Sequence, residues 1–369
     1  MKIYHTINPD LSVRLNIARA GAAFLVAISH IRGAFFLDWN HLSANSQNVL
    51  NYILFFFTRL GHEAVIIFFV LSGYLVGGSL LSDYILEKAN WRKYFVNRVA
   101  RMWVVLIPAL MIGAICDYYT IQLNPHNPGA EHFIVNAFIG NIFFLQTIIV
   151  PTFGTNGPLW SLANEFWYYM IWPLFFIILK LNYKTFIKIS LIIISLSIIS
   201  YLIPGIMKLF PIWIAGALIR VLNLNIYFKN KISLIISYLF GIIGLSYANI
   251  YPSLLNDYIL GLTIVWIILH WQNGIYLFRK MNVKIPQFFS EFSFSLYATH
   301  YFLMFLVLEV ARHFFNLGKR LPIANFLNWM ILIFITLIIL SLSWVFYYFT
   351  ERHTITIRKI VYSKINNAN

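Results

Sequence analysis

From Phe326 to Phe349 the chain runs twenty-four residues without one Asp, Glu, Lys or Arg. A helix needs about 20 apolar residues to cross the roughly 30 Å hydrocarbon core of a bilayer, so this stretch reads as a transmembrane span. Similar runs recur along the sequence, and across its 369 residues 60% are hydrophobic and only 11% charged, a balance foreign to water-soluble globules of this size. The chain is therefore expected to be an all-α, polytopic integral membrane bundle. It reads as a single domain over 1–369, with a short cytoplasmic N-terminal segment (1–13) and a basic cytoplasmic tail (351–369). Met1 to Arg14 is too polar for a cleaved signal peptide, so the first apolar run is retained as a helix. The formal charge of +15 resides in short loops between apolar runs. That is the positive-inside pattern of a membrane protein, and no nucleic-acid partner is expected. With Cys116 as the only cysteine no intramolecular disulfide forms. His62-Glu63-Ala64-Val65-Ile66 lacks the second histidine of a metalloprotease helix, so no metal site is expected.

Lysine and arginine in short loops orient the spans. Lys2, Arg14 and Arg19 put the N-terminus inside, and helix one (about Ala18 to Leu37) runs outward. Helix two (Gly61 to Leu81) returns to a loop bearing Lys88, Arg92, Lys93, Arg98 and Arg101, and helix three (Met102 to Tyr118) exits again. Phe133 to Val150 is apolar enough to cross, but crossing would place Lys180, Lys184 and Lys188 outside. It is therefore read as a re-entrant or interfacial segment. Spans follow at about Trp160–Leu181, Ile189–Ile203, Leu209–Val221, Leu234–Ala248, Leu255–Trp271, Phe289–Leu308 and Phe326–Phe349, with Arg220, Lys229, Lys231, Arg279, Lys280 and Lys284 inside. About ten spans result, both termini cytoplasmic. Arg312, Lys319 and Arg320 break the rule, falling in a loop this topology places outside.

Polar residues inside such runs are expensive and mark function. Arg19 and His30 are eleven residues apart, three turns plus about 20°, so they share a helix face about 16 Å apart. Arg19 is near enough to the start of its run to snorkel; His30 is not. Glu165, about one turn into its span, has a plain reading as a helix-start carboxylate favoured by the macrodipole, with Ser161 near the cap. His300 has the plain reading of a buried histidine satisfied by a backbone carbonyl. Arg98 and Arg101, three apart, share a face and suit a phosphorylated ligand, though cytoplasmic anchoring explains them equally. Small residues in Phe68-Phe69-Val70-Leu71-Ser72-Gly73-Tyr74 permit a close helix approach or a helix break.

In this order these stretches resemble the membrane acyltransferase 3 family. Arg14 to Ala20 followed by ten residues between Arg19 and His30 is similar to its Arg-x10-His opening. Phe68 to Tyr74 resembles its Phe-Phe-x-Leu-Ser-Gly-Phe, and Arg98/Arg101 its Arg-x-x-Arg. Trp160-Ser161-Leu162 with Glu165, Tyr169 and Pro173 resembles its Trp-Ser-Leu-x-x-Glu element, and Ser295-Leu296-Tyr297 with His300 its Ser-x-Tyr-x-x-His. Asn16, Val104 and His353 depart from the usual Asp, Pro and Pro. The resemblance implies O-acylation, most commonly O-acetylation, of a cell-surface carbohydrate (O-antigen, capsule or exopolysaccharide) or its lipid-linked precursor. It further implies acetyl-CoA or another acyl-CoA as a donor substrate, no permanently bound cofactor, and residence in the cytoplasmic (inner) membrane. A sugar hydroxyl needs a base to attack a thioester, and imidazole suits that role. His30 is the candidate, as base or as transient acyl carrier, with Glu165 as the acid that orients it. The resemblance implies that Arg19, Arg98, Arg101, Trp160, Ser161, Tyr297 and His300 bind substrate or donor, the three arginines holding the phosphates of CoA. The rival reading is a transporter or flippase with Arg19, His30, Glu165 and His300 as a polar pathway; the missing internal repeat speaks against it.

Overall fold

The computed structural model describes residues 7–222, 230–277 and 284–367, so Lys2, Lys229, Arg279 and Lys280 lie outside the described residues. The described residues form helices and no strand. In chain order these are α1 (Pro9–Phe35), α2 (Val49–Phe57), α3 (Gly61–Ser72), a π turn (Gly73–Gly77), α4 (Gly78–Ile85), α5 (Trp91–Leu123) and α6 (Val135–Ile142). Then come α7 (Leu159–Lys180), α8 (Thr185–Leu202), α9 (Pro204–Met207), α10 (Phe210–Ile219), α11 (Lys231–Ile250), α12 (Leu254–Gln272), α13 (Lys284–Glu291), α14 (Ser293–Phe315), α15 (Phe326–Phe349) and α16 (Thr354–Asn367).

Nine helical stretches among the described residues are long and apolar enough to cross a membrane, with Val49–Ile85 counted as one and Phe326–Lys364 as another. The expected span Leu209–Val221 folds as α10, only ten residues, which rise about 15 Å. The four-residue α9 precedes it, with Lys208 and Leu209 between the two. Two helices start well before their apolar runs. Pro9, at a first helical position where its missing N–H costs nothing, opens α1 with Asp10 in the first turn. Arg19 therefore lies in the body of α1 rather than near its start. Likewise Arg92, Lys93, Arg98 and Arg101 sit inside α5, not in the loop before it. Hydropathy marks the lipid-crossing part of a helix; the polar turns beyond it are helical too.

Contacts divide the chain into two compact units interleaved in sequence. The first comprises Met1–Asn16, Ile66–Arg98 and Ser161–Val283. Its centre is the π turn, which packs on α10 so closely that a Cβ on Gly73 would strike the Trp213 carbonyl. A π turn disturbs the regular i to i−4 ladder, and here side chains reach the carbonyls of the turn. Arg220 donates to the Tyr74 and Leu75 carbonyls (3.4 and 3.3 Å) and Trp172 Nε1 to that of Gly77 (3.1 Å).

The second unit comprises Ile17–Val65, Val99–Trp160 and Lys284–Asn369. Within it α1 and α14 run in the same direction. At one end Arg19 Nη2 donates to the Ser290 carbonyl just before α14 (3.1 Å); at the other, Arg312 Nη2 donates to the Ala34 carbonyl (2.9 Å). The α5 helix runs the same way, since Arg101 meets Glu351 beyond the end of α15 while Asn124 meets Glu309 late in α14.

Between Leu123 and Leu159 the chain then descends. Asn156 Nδ2 donates to the Ala298 carbonyl and Tyr297 OH to that of Pro158, both at 2.9 Å, early in α14. Asn124 lies level with Glu309, eleven helical residues further on, about 16 Å away along the axis. The one helix of this stretch, α6, has eight residues and rises about 12 Å, so Phe133 to Val150 re-enters rather than crosses. Irregular backbone at membrane depth persists only where the protein satisfies it. Buried amides do so: Asn141 Nδ2 donates to the Pro151 carbonyl (2.9 Å) and Gln146 Nε2 to that of Leu159 (3.0 Å). Asp117 on α5 accepts from Thr155 N (3.0 Å) and Thr155 Oγ1 (2.6 Å), beside Gly154 at φ +56°, where a Cβ would strike the carboxylate. As a result α7 starts level with Tyr297, early in α14.

Candidate active site

The second unit gathers Arg19, His30, Arg101, Tyr297 and His300. Two of them, Arg101 and Arg19, interact with an acid outside the expected site set. Glu351 is buried and accepts from Ser295 N (3.0 Å) and Ser295 Oγ (2.8 Å), tying the end of α15 to the start of α14. Arg101 Nη2 lies 3.7 Å from its other oxygen, and Arg19 is within electrostatic reach of the same carboxylate. One acid thus interacts with two arginines from two helices, which leaves positive charge in excess. The available signal was Glu351's position as the first acid after a long uncharged run.

His30 lies further along α1. Its ring stands edge-on to Tyr301 (4.8 Å between centroids) and stacks on His300 (5.4 Å). His300 Nδ1 sits 3.0 and 2.8 Å from the Leu296 and Tyr297 carbonyls, which assigns its proton to that nitrogen. The plain reading of His300 therefore holds for one nitrogen. Its buried Nε2 has no hydrogen-bond partner and carries the lone pair. His30, by contrast, opens onto a cavity of about 1080 Å³ lined also by Ser29, Asn124, Thr155, Tyr301 and Glu309. This volume exceeds the space a single small ligand requires.

The first unit holds Glu165, Arg98 and Ser161. Glu165, the seventh residue of α7, accepts from Ser72 Oγ (2.6 Å) and from Tyr169 OH; Trp213 Nε1 in turn donates to Ser72 Oγ (3.1 Å). The Phe68–Tyr74 stretch and the Trp160–Pro173 stretch thus meet through their polar members, a junction the sequence does not reveal. The carboxylate expected to orient His30 takes these hydrogen bonds from its own unit. Arg98 lies over the Tyr169 ring (5.8 Å), whereas Arg101 lies over Phe294 (5.7 Å), so the two members of the pair engage different aromatics. Ser161 is buried in the first turn of α7 and Trp160 beside it is half-buried, so Ser161 is a helical residue rather than a cap. Among the described residues no group of three or more His, Cys, Asp or Glu is placed to hold a metal.

The profile of a family described as an acyltransferase domain matches residues 12–348. The chain belongs to this family. It is 32% identical over 209 residues to an O-acetyl transferase of Shigella phage Sf6, covering 53% of this chain and 56% of the relative. It is 29% identical over 134 residues to the peptidoglycan O-acetyltransferase OatA of Listeria monocytogenes, covering 34% of this chain and 21% of the relative. A putative peptidoglycan O-acetyltransferase of Bacillus subtilis, YrhL, is 30% identical over 130 residues, covering 32% of this chain and 20% of that protein. The chain thus spans about half the length of the phage relative and about a fifth of the other two. No solved structure matches it.

Proposed function

We propose that this protein is a membrane O-acetyltransferase that takes an acetyl group from acyl-CoA on the cytoplasmic side and delivers it to a hydroxyl of a surface carbohydrate. The observation that carries the reading is the placement of Arg19 and His30 on one helix. Arg19 lies within electrostatic reach of Glu351, and His30 opens onto a large cavity about 16 Å further along. A donor with its phosphates at the arginine end presents its acyl group to the histidine if it covers that distance. His30 then removes the proton of the acceptor hydroxyl as the oxygen attacks the thioester carbonyl. The carbon–sulfur bond breaks, the new ester forms, and the leaving thiolate takes the proton back from the imidazolium. In this reading Arg19 and Arg101 hold phosphate with planar forks that an ammonium cannot reproduce. Glu165, fixed by Ser72 and Tyr169, is assigned the acidic role in this chemistry.

The test is cleavage of labelled acetyl-CoA by the purified protein in a lipid bilayer. Thioester cleavage that disappears in His30→Ala supports transfer. A wild-type protein that leaves the donor intact instead fits the polar-pathway transporter.

A further inference from the structure

The cavity at His30 carries more positive charge than the transfer chemistry uses. Its far end is closed by the loop joining α14 to α15, and that loop is fastened to the end of α1 and the segment after it. Leu37 N donates to the Leu321 carbonyl (3.0 Å), Leu321 N to that of Phe35 (2.8 Å), Ser43 N to that of Pro322 (2.9 Å) and Asn51 Nδ2 to that of Ala324 (2.6 Å). Lys319 and Arg320 are consequently held at the cavity, which both of them line. These are the cations that break the positive-inside pattern, and anchoring in the cytoplasm does not account for them.

The acids of the cavity do not cancel this charge. Glu309 accepts from Arg312 (2.7 Å) and Asn124 (3.2 Å). Asp38, the other acid of the lining, interacts with Arg32, and Arg32 is repelled by both Arg59 and Arg320. Asp38 is thus drawn on by Arg32 and Glu309 by Arg312, which leaves Lys319 and Arg320 as the excess charge of the lining, and Arg32 is itself buried with its Nε lacking a hydrogen-bond partner. Arg320 also acts electrostatically on Tyr301, whose ring abuts His30. A concave site of one sign next to a reactive imidazole concentrates ligands of the opposite sign.

We propose that this end of the cavity is an acceptor subsite for an anionic sugar, one bearing a carboxylate or a phosphate, held by Arg320 and Lys319 with Arg32 behind them. The inference rests on the acetyl-transfer reading and narrows its acceptor class. Both side chains are exposed, and it is the Lys319 backbone carbonyl, not its ammonium, that receives Arg312.

The experiment uses the full chain in nanodiscs of zwitterionic lipid, so that no lipid headgroup supplies the net negative charge. Three fluorescent probes are titrated: an oligogalacturonate, a maltooligosaccharide carrying one phosphomonoester, and the neutral maltooligosaccharide. At low salt at least one acidic probe binds about tenfold or more tighter than the neutral one, and added salt erodes the difference. The double variant Lys319→Gln/Arg320→Gln loses that preference, whereas Lys188→Gln, outside the cavity, keeps it. Which acidic probe wins distinguishes a carboxylate from a phosphate acceptor. Equal binding of neutral and acidic probes, or a preference that survives the double variant, overturns the proposal while acetyl-CoA cleavage by the same preparation leaves the transfer reading standing. Absence of that cleavage overturns the transfer reading, and the acceptor role with it.

Discussion

At the scale of residues, the chemistry assigned to His30 sets the size of the effect to expect. General-base catalysis is worth about 10²- to 10⁴-fold, so His30→Ala should lower acetyl-CoA turnover by that factor while insertion and expression are kept. Loss below tenfold in single-turnover measurements would move the base elsewhere. Arg19→Lys keeps the charge but not the fork, and charge-assisted bonds of this kind are worth about 1.5–3 kcal/mol, so the donor KM should rise about tenfold or more. An unchanged KM would make Arg19 a structural residue. Glu351→Gln keeps an oxygen for Ser295 but removes the charge that interacts with Arg101 and Arg19. Its donor KM should rise with kcat less affected, and its stability should fall by about 1–3 kcal/mol in thermal unfolding. A kcat loss at constant KM would contradict an orienting role. Arg19, His30 and His300 were legible in the sequence because ionisable groups stand out against apolar runs. The role of Glu351 was not, because its partners come from α5 and α14, distant in sequence.

Among the helices, the irregular elements carry the most information. The small residues around Ser72-Gly73 announce a break or a close approach, and the structure has both at once: a π turn whose exposed carbonyls are met by Arg220 and Trp172, pressed against α10. Gly73→Ala would drive a methyl group into the Trp213 backbone. Overpacking of this kind costs about 1–3 kcal/mol, and because Ser72 borders the turn, the Glu165 network should be disturbed with it. The variant should unfold at lower temperature; wild-type stability would show that the turn relaxes at no cost. The re-entrant reading of Phe133 to Val150 came from charge arithmetic alone, since a crossing would have exported three lysines. What arithmetic did not supply was its depth, because Asp117, Asn141 and Gln146 look like isolated polar residues until their backbone partners are known.

At the scale of the molecule, helix direction settles a question that length leaves open. Nine stretches are long enough to cross, and α10 is not by itself. In the second unit α1 and α14 run in parallel. The crossings between them are Val49–Ile85, α5, α7, α8, α11 and α12, six in number, so α14 would be the seventh after α1 and antiparallel to it. Parallel helices require one more crossing, and of the helices left between them among the described residues, α6, α9, α10 and α13, the longest is α10, preceded by α9. The same count places the loop that follows α5 at Asn124 and the Tyr251–Ser253 loop on the side opposite to Asn230. Single cysteines in a Cys116→Ser background test this with a membrane-impermeant thiol reagent on intact cells. Asn256, in the same stretch as the second loop, is buried, so exposed Pro252 is the better site, and Pro125 is exposed in the first loop. Pro125→Cys and Pro252→Cys should react from outside and Asn230→Cys only after the cells are opened. If Asn230→Cys reacts from outside together with Pro125→Cys, the 204–219 stretch does not cross. The parallel pairing of α1 with α14 would then be untenable, and with it the alignment of Arg19 and His30 alongside the first and later turns of α14.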